Sequence, residues 1–220
     1  MYELGLYEKS MPNTLSFKEK LETVKATGFD FLEMSVDETD EKLARLEWTK
    51  EERLELVKTM YETGVSIRSM CLSGHRKYPF GSHDASVRER SMEIMEKAIE
   101  LADDLGIRVI QLAGYDVYYE EGDADTLEFF IDNLKKAALL AAQKGIVLGF
   151  ETMETPFMNT VEKSMRFVNL VDSPYLQVYP DSGNLKNASL EPGAKNVYED
   201  IELGKGHIVA AHLKETIPGH

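Results

Sequence analysis

The chain contains very little cysteine and comparatively few basic side chains. Its single cysteine, Cys71, excludes an internal disulfide and sits among apolar neighbours, so we predict a small core residue rather than a nucleophile. The 25 lysines and arginines face 39 acidic residues, which gives a net charge of −14. This imbalance argues against nucleic-acid binding, which needs a basic face, but not against an anionic small substrate bound in a locally positive site.

Long hydrophobic runs are absent as well. No segment approaches the run of about 18 apolar residues needed for a membrane helix, and the N-terminus lacks a basic segment followed by an apolar one. These absences predict a cytoplasmic protein without a membrane span. The 220 residues are 43% apolar, enough for one sizeable core, and no shift in composition marks a boundary, so we predict a single domain over 1–220.

What the sequence does contain is an alternation of strand-like and helical segments. Capping-box pairs, Ser16 with Glu19 and Thr49 with Glu52, mark helix starts, and glycines mark helix ends. Such alternation predicts an α/β fold with a parallel sheet and helices outside. Predicted strands lie at 4–7, 29–35, 65–72, 107–112, 146–151, 176–180 and 207–212. Predicted helices lie at 17–27, 50–63, 87–105, 126–144, 161–171 and 193–203, with irregular segments at 43–48 and 182–192.

The number of predicted strands favours a barrel over an open sheet. An open doubly wound sheet usually carries a glycine-rich phosphate turn after an early strand, whereas residues 7–10 here read Tyr-Glu-Lys-Ser. An eight-stranded barrel needs about 250 residues, and this sequence ends after its seventh predicted strand. We therefore predict a (β/α)8 TIM barrel truncated after the seventh strand and lacking the eighth βα unit. The open edges of such a barrel favour pairing between chains, as in a homodimer, or disorder.

Three of the predicted strands end on side chains that bind metals. Glu151 ends the apolar run that begins at residue 146, Asp181 follows the strand 176–180, and His212 ends the strand 207–212. In barrels the carboxyl ends of the strands form the active site, and two carboxylates with an imidazole suit Mn, Mg, Co or Zn. The structural alternative is that Glu151 and Asp181 cap the following loops and that His212 bonds to a neighbour.

Three longer strings carry a resemblance to a known family. They are FDFLEMSVDETD at 29–40, IRVIQLAGYDVYY at 107–119 and YPDSGNL at 179–185. Across essentially the whole chain the sequence resembles the L-ribulose-5-phosphate (L-xylulose-5-phosphate) 3-epimerases. These proteins are also labelled hexulose-6-phosphate isomerases and belong to the xylose-isomerase-like barrel superfamily. The resemblance implies a metal-dependent 3-epimerase of a ketopentose phosphate in ascorbate or related sugar breakdown.

The same resemblance implies roles for individual residues. Family metal ligands map onto Glu151, Asp181 and His212, while a second Glu from the eighth strand has no counterpart, so we predict weak metal binding and slow turnover. Glu151 is the candidate acid–base catalyst. Asn184 stands where related free-sugar epimerases have His, and Lys214 stands where they have Arg; we predict that both contact the substrate.

A phosphate group requires cationic or N–H donors. The densest basic group near the predicted site, which includes His75 and Arg76, follows the third strand, and Lys9 follows the first. We predict that these three residues contact the phosphate, the alternative being a solvated basic loop. Glu154, three residues after Glu151, is predicted to support the site or to hold Lys214.

Three other functions compete with the epimerase. An aldose–ketose isomerase would use the same metal site and move a hydrogen between C1 and C2. A DNA-repair endonuclease of the same superfamily would need more histidine ligands and a basic face, and five histidines with a charge of −14 argue against it. A catalytically impaired sugar-phosphate-binding fragment is the non-enzymatic alternative. All but the endonuclease predict a small-molecule partner and no nucleic acid or membrane.

Overall fold

The computed structural model describes residues 2–216, in which strands and helices alternate as predicted. The strands, β1 to β6, are Gly5–Tyr7, Phe31–Val36, Ser66–Leu72, Val109–Ala113, Val147–Glu151 and Leu176–Tyr179. The α-helices, α1 to α8, are Phe17–Ala26, Asp40–Leu43, Lys50–Thr63, Ala85–Leu105, Ala124–Lys144, Val161–Val171, Ser182–Ala188 and Val197–Leu203. Both predicted capping boxes form, at the starts of α1 and α3. Within the described range, no helix combines the length and apolar character needed to cross a membrane.

The six strands form one parallel sheet whose order follows the chain from β1 to β6. This order lacks the reversal that defines a doubly wound sheet. The sheet also curls, which brings β6 close to β2: the Tyr179 hydroxyl on β6 donates a hydrogen bond of 2.7 Å to Glu33 on β2. The prediction of a parallel α/β fold of the TIM-barrel type is therefore confirmed.

Strand β2 shows how the faces of the sheet divide apolar from polar side chains. On β2, Leu32 and Met34 are fully buried in the main hydrophobic cluster, whereas Glu33 pairs in register with Ser69 of β3. Burial of each such apolar side chain contributes roughly 1.5–3 kcal/mol, so the outward face stabilises the fold. The inward face carries Glu33, Ser69 and Glu151, and Cys71 is buried as predicted.

Several helical and loop segments differ from the sequence prediction. Residues 182–192, expected to be a loop, begin with α7 because the Asp181 carboxylate accepts a hydrogen bond from Asn184 N and caps the helix. Residues 43–48, expected to be irregular, contain the last residue of α2 and a 3₁₀ turn at Ala44–Glu47. The helix expected over 193–203 begins only at Val197, because Asn196 provides its cap.

The segment predicted as a seventh strand runs beside β6 without becoming a strand. Two isolated parallel bridges form, Val178 with Ile208 and Asp181 with His212. Within residues 2–216 nothing pairs with the other side of this segment, so its ladder of hydrogen bonds stays incomplete. The prediction of a regular strand at 207–212 is wrong, although the segment lies where that strand was expected.

Candidate metal centre

Three potential metal-binding side chains meet at the carboxyl edge of the sheet. Glu151 ends β5, Asp181 directly follows β6, and His212 lies at the bridge to Asp181. One ligand atom from each lies within 4.8 Å of the other two. The closest contact joins His212 Nδ1 to Glu151 Oε1 at 2.8 Å. The structure therefore brings together the three residues that the sequence predicts as ligands.

Backbone pairing positions this cluster. Glu151 pairs in register with Ala113 on one side and Tyr179 on the other. The His212 N–H donates to the Pro180 carbonyl at 2.9 Å, and the Ser182 N–H donates to the His212 carbonyl at 3.0 Å. Parallel pairing thus holds residues distant in sequence at one level of the sheet.

A third carboxylate, which the sequence does not predict to be part of the site, belongs to the same cluster. Glu33 is only 3% exposed, and its Oε1 lies 2.6 Å from His212 Nε2. Its Oε2 accepts hydrogen bonds from Ser69 Oγ at 2.6 Å and from the Tyr179 hydroxyl at 2.7 Å. The sequence signal is a single Glu inside an otherwise apolar strand, because buried carboxylates are rare unless paired.

The two carboxylates govern the protonation of His212. Burial disfavours the charged imidazole, but hydrogen bonds and charges from Glu151 and Glu33 outweigh it and raise the pKa of His212 to about 10. Desolvation likewise works against the Glu33 carboxylate, yet the contacts with His212 hold its pKa below the usual value. A metal bound at Nδ1 would have to displace a proton from this ring.

The donor set fits a divalent metal. Two carboxylates and one imidazole suit Mn, Mg, Co or Zn, the ions that the sequence predicts. Nδ1 of His212 faces Glu151, while Nε2 is held by Glu33, and metal-binding histidines in proteins commonly have their second nitrogen held in this way.

Two predicted substrate contacts, Lys214 and Asn184, adjoin the cluster. Lys214 Nζ lies 3.2 Å from Asp181 Oδ2 and 3.1 Å from Asn184 Oδ1. The predicted contact between Glu154 and Lys214 is not formed. Glu154 instead accepts a hydrogen bond of 3.2 Å from the hydroxyl of Tyr118, which lies in the loop between β4 and α5.

The three basic side chains predicted to bind phosphate lie in different environments. Lys9 is part-exposed and pairs with Asp37 at 2.8 Å, and Arg76 stacks on the Tyr118 ring. His75 is only 4% exposed and its Nε2 lies 3.1 Å from the Ser91 carbonyl oxygen. Burial lowers its pKa to about 4, so the ring is neutral at physiological pH. Burial therefore removes His75 from the predicted phosphate contacts.

Comparison with known proteins agrees with this fold. Residues 21–220 match the family model described as xylose isomerase-like TIM barrel. The chain is 48% identical over 216 residues to the L-ribulose-5-phosphate 3-epimerase UlaE of Escherichia coli O139:H28. The match spans 98% of this chain and 74% of that relative.

Solved structures share the same architecture. A D-psicose 3-epimerase from Clostridium cellulolyticum H10 with D-tagatose superposes with a TM-score of 0.81 at 18% identity, covering 100% of this chain and 76% of that one. A xylose isomerase-like TIM barrel protein from Mycobacterium smegmatis in complex with magnesium gives 0.74 at 16% identity, covering 97% and 76%. At these identities the likeness concerns the fold alone. Because residues 21–220 match the family model and the chain is 48% identical to the relative described above, it belongs to the xylose isomerase-like TIM barrel family.

Proposed function

We propose that this protein is a metal-dependent 3-epimerase that interconverts L-xylulose 5-phosphate and L-ribulose 5-phosphate through an enediolate. One observation carries the proposal: ligand atoms of Glu151, Asp181 and His212 converge within 4.8 Å at the carboxyl edge of the sheet. The 48% identity to an L-ribulose-5-phosphate 3-epimerase supports the choice of substrate. The reaction would serve ascorbate or related sugar breakdown in the cytoplasm.

The proposed reaction needs a base at C3, and Glu151 is the candidate. Epimerisation at C3 requires removal of the proton next to the C2 carbonyl and return of a proton to the opposite face. Glu151 is 14% exposed, and its Oε2 accepts a hydrogen bond from Gln111 Nε2, which orients the carboxylate. We assign Glu151 the removal of the C3 proton on its face, and the proton returned to the opposite face would come from solvent water. A divalent ion held by the three ligands would stabilise the negative charge that develops on the substrate oxygens.

Neighbouring side chains would orient the sugar. Lys214 and Asn184 contact each other beside Asp181, so their donors lie next to the metal ligands. We assign them to the sugar hydroxyls. Lys9 follows β1 and Arg76 follows β3, both at the carboxyl ends of their strands. We assign them the positive charge for the phosphate.

The deciding experiment is solvent exchange. The protein is incubated with L-xylulose 5-phosphate in D2O with each of Mn, Mg, Co and Zn in turn, and the product is analysed by NMR after the ion is removed. Deuterium at C3 of L-ribulose 5-phosphate is expected, and Glu151→Gln should abolish it. Deuterium at C1 or C2 of an aldose would assign the aldose–ketose isomerase instead. Substrate binding without exchange would assign a sugar-phosphate-binding protein.

A further inference from the structure

Gln111 is a buried glutamine with only one end of its amide satisfied. It lies on β4, and the flanking Ile110 and Leu112 belong to the main hydrophobic cluster, so its side chain is on the opposite, inner face of the strand. Its Nε2 donates a hydrogen bond to Glu151 Oε2. Its Oε1 is buried and has no hydrogen-bond partner within residues 2–216.

Fold stability does not account for a glutamine at this position. The side chain is fully buried, and a buried acceptor without a partner destabilises a folded protein. A methionine of similar length would fill the same space without an unsatisfied oxygen. The one side-chain contact that the Gln111 amide makes is with Glu151, so its role concerns that carboxylate.

This contact gives the two oxygens of Glu151 different surroundings. Oε1 lies 2.8 Å from His212 Nδ1, on the side of the candidate metal centre, whereas Oε2 accepts the hydrogen bond from Gln111. With Oε2 held, the carboxylate cannot rotate freely about the bond that joins it to the side chain. Oε1 therefore stays directed at the cluster.

The register of the sheet explains why this donor comes from Gln111. Ala113 pairs with Glu151 on one side but has no donor in its side chain. Tyr179 pairs with Glu151 on the other side, and its hydroxyl donates to Glu33 instead. Gln111 lies two residues before Ala113, and its longer side chain reaches along the strand to Glu151.

We propose that Gln111 is a positioning residue that divides the two oxygens of Glu151. It holds Oε2, so that Oε1 is the oxygen presented to a divalent ion, and it fixes the carboxylate for removal of the C3 proton. The role in proton removal rests on the proposed function, whereas the role in ion binding does not depend on turnover.

The test is Gln111→Met, which removes the donor and keeps the length of the side chain. Side chains that hold a metal ligand commonly contribute about 10- to 100-fold to metal affinity or activity. We expect a loss of that size in Mn²⁺ affinity, measured by calorimetry without substrate. At saturating Mn²⁺, kcat for epimerisation of L-xylulose 5-phosphate should fall by a similar factor with KM unchanged, because the buried side chain of Gln111 does not reach the sugar.

Gln177→Met is the matched control. Gln111 and Gln177 pair in register with opposite sides of Gly149, so both glutamines lie at one level of the sheet. Gln177 Nε2 donates to the Pro174 carbonyl at 3.0 Å, and its Oε1 lies 3.0 Å from His207 Nδ1, so its amide bonds to none of the cluster residues. This variant should bind Mn²⁺ and turn over like the wild type.

The melting temperatures of the two variants without metal separate positioning from a structural role. Gln111→Met loses one hydrogen bond together with an unsatisfied acceptor, whereas Gln177→Met loses two hydrogen bonds. Gln111→Met should therefore melt no lower than Gln177→Met. A much lower melting temperature for Gln111→Met would assign it a structural role and overturn the proposal.

Two further outcomes bear on the assignment. If Gln111→Met binds Mn²⁺ as tightly as Gln177→Met and retains its kcat, Gln111 does not position Glu151, and the proposal fails while the proposed function stands. If Gln111→Met alone loses Mn²⁺ affinity and the wild type shows no epimerisation, the role in ion binding is supported and the proposed function is refuted.

Discussion

His212 Nε2 lies 2.6 Å from Glu33 Oε1, a contact that joins two residues 179 positions apart in the sequence. It links the segment beside β6 to the middle of β2 across the interior of the curled sheet. The other nitrogen of the same ring faces Glu151. Glu33 thus orients the imidazole so that Nδ1 points into the candidate metal centre, and Ser69 and Tyr179 hold Glu33 in turn.

Glu33→Gln should weaken metal binding without removing a ligand. Carboxylates that hold a metal-binding histidine commonly contribute about 10- to 100-fold to affinity, because they fix the ring and increase its basicity. We expect a loss of that size in Mn²⁺ affinity measured by calorimetry. Glu41→Gln, a neutralisation at an exposed position on α2, is the control for lost charge. Equal Mn²⁺ affinity in the two variants would remove Glu33 from the site.

Asp181→Asn separates the two roles of Asp181. One oxygen caps α7 through Asn184 N at 2.8 Å, and asparagine caps helices as well as aspartate does. The melting temperature without metal should therefore change little. An ion at about 100 times its dissociation constant stabilises the wild type by about 2.7 kcal/mol, and this Mn²⁺-dependent rise in melting temperature should be lost in the variant. An undiminished rise would show that Asp181 is not a ligand.

Glu8→Gln should severely destabilise the fold. Glu8 is fully buried, and its carboxylate contacts Lys20 at 2.7 Å, Lys42 at 2.8 Å and Arg45 at 2.6 Å. Removing the one acid of this group leaves buried cations uncompensated, at a cost of about 3–5 kcal/mol in the free energy of unfolding, measured with urea.

An exposed pair provides the control for Glu8. Glu55 is 70% exposed and lies 3.8 Å from Lys58, so Glu55→Gln should cost less than about 1 kcal/mol. If the two variants had similar free energies of unfolding, the buried ion group would not stabilise the fold as argued.

His75 should make the protein sensitive to mild acid. Its folded pKa is about 4 against 6.5 for the free side chain, so between these values the unfolded chain binds a proton that the folded protein does not. The free energy of unfolding should therefore fall as the pH falls through this window, by about 3 kcal/mol in total.

His75→Gln tests this origin. The amide can still donate to the Ser91 carbonyl but does not titrate, so the variant should lose the part of the pH dependence that one proton contributes. The measurement is urea unfolding at several pH values between 4 and 6.5. If the free energy of unfolding changed with pH in the same way for the wild type and His75→Gln, His75 would not be the source of the acid sensitivity.

The site was partly predictable because strand ends follow from local patterns. Apolar runs and capping boxes place Glu151 and Asp181 at the ends of consecutive parallel strands, and parallel strands bring their carboxyl ends to one edge. Glu33, in contrast, required knowledge of which face of β2 turns inward. His75 belongs to a basic stretch of sequence, yet its ring is buried against Phe80, with the two ring centres 4.4 Å apart.

The sequence by itself determined the order of strands and helices, the caps that start α1 and α3, and the three candidate ligands, because each depends on neighbouring residues. Only the tertiary structure decided that Glu33 orients His212, that Glu154 contacts Tyr118 rather than Lys214, and that Arg76 stacks on the Tyr118 ring. These contacts join residues from different strands and loops. Their formation depends on the curl of the sheet and on side-chain burial, which no local pattern specifies.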